Sequence, residues 1–155
     1  GRTGVSCTPE HYARLAEIPR INGVKEASGD ISLVSRTRHL CGDALNIWSG
    51  NDDQTLPMLA LGAKGVISVA SNIVPQVLTT LCAAAFSGDF FTARAIHEAY
   101  AGLFDALFYE VNPIPVKTAM QMLGWDSGRL RLPLCPMSED NAAKLRHCLE
   151  SLQLL

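Results

Sequence analysis

Three short, largely apolar stretches, residues 21–27, 45–49 and 65–70, are each followed by a segment of helical periodicity, and this alternation constrains the fold more than any other feature of the chain. A strand with one face in water alternates polar and apolar residues, whereas a strand covered on both faces does not. Gly65-Val66-Ile67-Ser68-Val69-Ala70 is of the second kind. The first stretch, interrupted by Asn22 and Lys25, is too short for a helix and lies between Pro19 and Gly29. Repeated strand-then-helix units with strands of this type predict a parallel sheet and an α/β fold.

The punctuation between the stretches agrees. Thr8 and Pro9 suit the cap and first position of a helix reaching about residue 17. Asp30 can cap a second helix that stops at Gly42, and Asp52 or Asp53 a third that stops at Gly62. After Pro75 the pattern changes to helices over about 75–87, 90–110, 116–123 and 138–152, with no strand between them. In this tail Ala93, Ile96, Tyr100, Leu103 and Leu107 form one apolar stripe, and Ala142, Leu145, Leu149 and Leu152 another, both read as packing surfaces. Three parallel strands cannot close a barrel and would leave apolar edges open, so further strands are expected from outside these residues.

Composition narrows the function classes. Of 155 residues 48% are hydrophobic and 18% charged, with a formal net charge of −2, which favours neither disorder nor a nucleic-acid surface. No stretch has the apolar length of a membrane span, and the first residues have no signal-peptide core, so a soluble cytoplasmic protein is expected. The cysteines at 7, 41, 82, 135 and 148 are odd in number and scattered, as expected of reduced thiols. His11, His39, His97 and His147 have no ligand spacing to Cys or Asp, so no metal is expected. The glycines end helices or bound strands, with no phosphate-cradling loop among them.

Lysine is scarce, at 25, 64, 117 and 144 only, against nine arginines. Lys64, Lys117 and Lys144 fit solvated positions, but Lys25 lies inside an apolar strand near its C-terminal end, where (β/α) enzymes gather their active sites. Desolvating an ammonium enriches the neutral amine that attacks carbonyl carbon, the requirement of Schiff-base catalysis. The alternative is a strand-end lysine whose stem packs on apolar neighbours while its head reaches water. Asp52 and Asp53 could pair as acids, although helix capping accounts for them more simply.

Five segments in order resemble the dihydrodipicolinate synthase branch of the N-acetylneuraminate lyase superfamily: Arg2-Thr3-Gly4, Gly23-Val24-Lys25-Glu26-Ala27-Ser28-Gly29, Ser49-Gly50-Asn51-Asp52, Gly65-Val66-Ile67-Ser68-Val69 and Asn112-Pro113-Ile114-Pro115-Val116-Lys117. The resemblance implies a partial (β/α)8 TIM barrel, strands six to eight, over residues 1–88, followed by a helical C-terminal domain over residues 89–155. It implies that Lys25 forms a covalent imine with pyruvate, without a separate cofactor, and that the derived enamine attacks aspartate semialdehyde. Arg2 would hold the second substrate's carboxylate, Gly50 would allow close approach on the seventh strand, and the backbone at Ile67 would line the pyruvate site on the eighth. The product would be a precursor of lysine and diaminopimelate, and the complete enzyme a dimer or tetramer. The family's Gly-Thr-Thr-Gly segment and fifth-strand tyrosine, which relay protons, have no counterpart here, and Tyr12, Tyr100 and Tyr109 lie outside that motif. These residues alone are therefore expected to be inactive. A sister aldolase acting on sugar acids and a non-catalytic remnant or partner chain are the competing readings.

Overall fold

The computed structural model describes residues 3–155. Its first element, α1 (Pro9–Ala16), begins at a reciprocal cap: the Thr8 hydroxyl accepts from the His11 N–H at 3.4 Å, and the Thr8 N–H donates to His11 Nδ1 at 3.1 Å. Two of the amide donors around the helix start are thereby satisfied, with histidine in the place more often taken by glutamate.

Two strands follow the expected order, β1 (Gly23–Glu26) and β2 (Asn46–Ser49), parallel and in register from Gly23 opposite Asn46 to Glu26 opposite Ser49. They are joined by α2 (Ile31–Cys41), which the Asp30 carboxylate caps by accepting from the Leu33 N–H at 3.0 Å. Gly42 then turns the chain at φ 52°, a left-handed angle that favours glycine. Gly23 leaves room for Trp48 across the pair, because a Cβ there would run into the indole ring.

The third expected strand is shorter than the sequence suggests. Ser49 forms an isolated parallel bridge with Val66, supported by Lys64 N–H to Ile47 O, Ser49 N–H to Gly65 O and Ile67 N–H to Ser49 O at 2.7–2.9 Å. Beyond Ile67 the backbone donors turn elsewhere. Asp52 Oδ2 accepts from Val69 N–H at 3.0 Å and Ala70 N–H at 2.9 Å, Ser68 Oγ accepts from Ser71 N–H at 2.8 Å, and the chain coils into a 3-10 turn, Ala70–Asn72. Asp52 therefore does not cap the helix after β2, and neither does Asp53. That segment opens as a 3-10 turn, Asp52–Gln54, and continues as α3 (Thr55–Ala60), neither with a side-chain cap.

The remaining chain is helical: α4 (Pro75–Phe86), α5 (Phe90–Ala106), α6 (Ile114–Met122) and α7 (Glu139–Ser151). The helix expected from about residue 116 starts two residues earlier, with Ile114, Pro115 and Val116 buried in the first turn of α6. Val34, Ile47, Met58 and Ala63 form a core between the strands and α2 and α3. A larger core unites Ala70, Ile73, Val74 and Leu78 with Leu103, Leu107, Leu145 and Leu149, against which Tyr100 and Leu152 are partly buried, while Ala93 is buried in a separate cluster with Leu59, Leu81 and Ala85. The segment after β2 is thus packed continuously against the tail helices. Among the described residues no helix is long and apolar enough to cross a membrane.

Candidate active site

The C-terminal ends of β1 and β2 and the bridge at Val66 lie side by side, which brings Lys25, Gly50 and the Ile67 backbone onto neighbouring chain segments. Gly50 N–H donates to Glu26 O at 2.7 Å, extending the ladder one step past β2. A Cβ on Gly50 would stand 2.9 Å from Lys25 Cε and 2.6 Å from the Ala27 Cβ. The lysine stem therefore lies across the Gly50 backbone, a contact closer than any other residue would allow. Ile67, 49% exposed, donates its N–H to Ser49 O, so its backbone is held while its side chain is open.

The dry pocket expected around the Lys25 nitrogen is not formed by these residues: Lys25 is exposed. Strand alternation explains this. Val24 packs on the core beneath β1 and Glu26 is buried on the same side, while Lys25 faces the opposite side and is exposed. Arg2 lies outside the described residues. Of the other lysines, Lys64 and Lys144 are exposed, but Lys117, expected on a solvated face, is half-buried and donates to both Asp126 carboxylate oxygens at 3.0 and 2.9 Å. That pairing, with Gly128 N–H at the same carboxylate, holds Asp126 below the usual carboxylate range.

Glu26 is absent from the expected site, yet it is the most constrained polar residue beside Lys25. It is 5% exposed. Its Oε1 accepts from Ser28 N–H at 2.6 Å and its Oε2 from the Tyr12 hydroxyl at 2.8 Å. Burial, and then the Glu26 carboxylate itself, push the Tyr12 phenol well above its ordinary value, so it stays a proton donor. The signal in the sequence was a carboxylate two residues after Val24, on the face of the strand that packs inward.

A second buried carboxylate, Asp52, joins the end of β2 to the turn at 69–70. It is 2% exposed; one oxygen takes both amides of that turn, and Oδ1 has no hydrogen-bond partner among the described residues. Ser49 Oγ donates to Asn51 O at 2.7 Å, and Thr55 Oγ1 to the same carbonyl at 3.3 Å, which fixes the loop between Gly50 and α3. The loop bearing Gly50 and the segment bearing Ile67 are thus tied through Asp52.

Elsewhere, His11 serves a helix cap, while the His97 ring lies tilted against Phe104 with centroids 5.8 Å apart. The five cysteines are free thiols. No group of three or more His, Cys, Asp or Glu among the described residues is placed to hold a metal ion. The groove of about 790 Å³ between α6 and the segment after it is lined by Lys117, Arg129 and Arg131, and none of Lys25, Gly50 or Ile67 reaches it.

Comparison with known proteins supplies a frame for this geometry. Residues 1–152 match the Dihydrodipicolinate synthetase family. The 4-hydroxy-tetrahydrodipicolinate synthase of Geobacter sulfurreducens is 49% identical over 155 residues, covering all of this chain and 53% of that protein. The structure of dihydrodipicolinate synthase from Thermotoga maritima superposes with a TM-score of 0.95 at 44% identity, covering 99% of this chain and 53% of that one. The dihydrodipicolinate synthase of Acinetobacter baumannii, solved in complex with pyruvate, gives a TM-score of 0.95 at 36% identity, with the same coverage. The chain spans about half the length of the curated relatives it matches.

Proposed function

Because the chain belongs to the dihydrodipicolinate synthetase family, we propose that it carries the imine-forming part of a lyase that condenses pyruvate with aspartate semialdehyde, serving lysine and diaminopimelate synthesis. Residues 1–88 are assigned to the last three units of a (β/α)8 barrel and residues 89–155 to a helical domain behind it. The Lys25 Nζ attacks the pyruvate C2 carbonyl, water leaves, and a covalent imine results, so no separate cofactor is required. Loss of a methyl proton gives an enamine, whose carbon attacks the aldehyde carbon as that oxygen takes up a proton. The amine of the second substrate then closes the ring on the imine carbon and frees Lys25.

The single observation that carries this reading is the lysine stem lying across Gly50 at the C-terminal edge of parallel strands, the edge where such barrels place catalysis. In this assignment Gly50 gives the bound keto acid close access, the Ile67 backbone lines its site, and Arg2 presents a planar, two-pronged donor to the second substrate's carboxylate. The exposure of Lys25 fits a site whose remaining wall comes from the half of the relatives that these residues do not cover. A cytoplasmic dimer or tetramer is the assembly assigned to the complete protein.

The test is condensation by the complete protein, assayed with pyruvate and aspartate semialdehyde beside sugar-acid aldehydes. Turnover of the first pair and its loss in Lys25→Arg, which keeps the charge but not a nucleophilic amine, is the expected result. Preference for a sugar-acid aldehyde moves the protein to a sister aldolase, and undiminished turnover by Lys25→Arg refutes the mechanism.

A further inference from the structure

A buried carboxylate at a strand end is costly unless each oxygen is satisfied, and an apolar side chain would pack there without that cost. Glu26 meets the requirement in full, through three segments. Its carbonyl accepts from Gly50 after β2, its Oε1 from Ser28 in the following loop, and its Oε2 from Tyr12 on α1, fourteen residues earlier. Lys25 shares a peptide unit with this residue and projects from the opposite face. Any rotation of the strand end about its own axis would carry the Lys25 stem off Gly50, and the ties on Glu26 resist that rotation.

We propose that Tyr12 and Glu26 form a positioning clamp that aims the Lys25 amine across Gly50 at the bound keto acid. Neither side chain touches substrate; both act through the peptide that joins positions 25 and 26. The inference rests on Lys25 being the imine-forming residue. Because both partners lie within the described residues, and Glu26 is already 5% exposed, the clamp needs no group from another part of the protein.

The test is the rate at which borohydride traps pyruvate on Lys25 in the complete protein. Tyr12→Phe, Glu26→Gln and the double variant Tyr12→Phe/Glu26→Met are compared with the unaltered protein, beside their melting temperatures. Misaligned reacting groups lose roughly 10- to 100-fold, so Tyr12→Phe is expected to trap at least about tenfold more slowly at saturating pyruvate, with half-saturation little changed. Glu26→Gln can still accept from Ser28 and donate to the Tyr12 oxygen, so it should stay within about threefold of the unaltered rate. The double variant has no orphaned buried charge, so it should regain stability while remaining slow. Should it fail to fold, the contrast between Tyr12→Phe and Glu26→Gln decides. Recovery of the full rate together with stability, or an unaltered rate in Tyr12→Phe, overturns the clamp and leaves the assignment of Lys25 standing. Absence of any adduct on Lys25 in the unaltered protein overturns both.

Discussion

Replacing Gly50 with alanine tests the closest packing in the candidate site. The new methyl would lie 2.6 Å from the Ala27 Cβ, 2.9 Å from Lys25 Cε and 3.2 Å from Glu26 O. Comfortable carbon–carbon contacts are about 3.5–4.0 Å, so the first two overlap by roughly 1 Å. The Lys25 stem can swing aside, but the Ala27 Cβ is fixed to backbone and cannot. The strain must therefore part β1 from the loop after β2, at the expense of the Gly50 N–H to Glu26 O bond of 2.7 Å. Overpacking costs about 1–3 kcal/mol and a lost hydrogen bond about 1 kcal/mol, so the variant should be less stable by about 2–4 kcal/mol. It should also trap pyruvate at least about 10-fold more slowly, since the amine has been moved. Urea unfolding and borohydride trapping of the complete protein measure the two effects. Stability within about 0.5 kcal/mol of the unaltered protein, with an unaltered trapping rate, would show that the lysine does not rest on this glycine.

Asp52→Ala removes the acceptor of both the Val69 and Ala70 amides, which should cost about 2–3 kcal/mol and speed amide exchange at 69–71, read by hydrogen-exchange mass spectrometry. Burial raises the thiols of Cys41, Cys82 and Cys148, so alkylation of the native protein should label the exposed Cys7 and Cys135 first; prior labelling of Cys41 would contradict the core. The folded chain holds the Tyr12 proton more tightly than the unfolded chain does. Its contribution is thus complete below the ordinary phenol value near 10 and is lost as pH rises above it. Tyr12→Phe should accordingly show a shallower alkaline decline in melting temperature; identical slopes would refute the buried hydrogen bond.

Much of the fold is legible because its signals are local. Thr8, Asp30, Asp89 and Ser138 each accept from an amide of the helix that they precede, and a helix boundary needs nothing beyond such neighbours. The stretch 65–70 misleads because its strand is cut short by Asp52, a residue seventeen positions earlier whose side chain no local pattern aims. Lys117 misleads similarly, since its acid partner lies nine residues on, beyond the end of α6. At the candidate site, residue type and strand position single out Lys25, whereas Gly50 and Ile67 are marked only by the family resemblance. The role of Glu26 is hidden because it depends on a phenol from a different element. The exposure of Lys25 matches one of the two readings open in the sequence, a head that reaches water, but local pattern does not choose between them, for burial of a strand face is decided by whichever elements lie over it.

The proposed mechanism requires the Lys25 nitrogen to make the covalent bond to the keto acid. Mass spectrometry of peptides from the complete protein, reduced with borohydride in the presence of pyruvate, measures this directly. A reduced pyruvyl adduct confined to the peptide bearing Lys25, and missing from Lys25→Arg, is expected. An adduct on Lys64, Lys117 or Lys144 instead, or an unmodified Lys25 at saturating pyruvate, would contradict it.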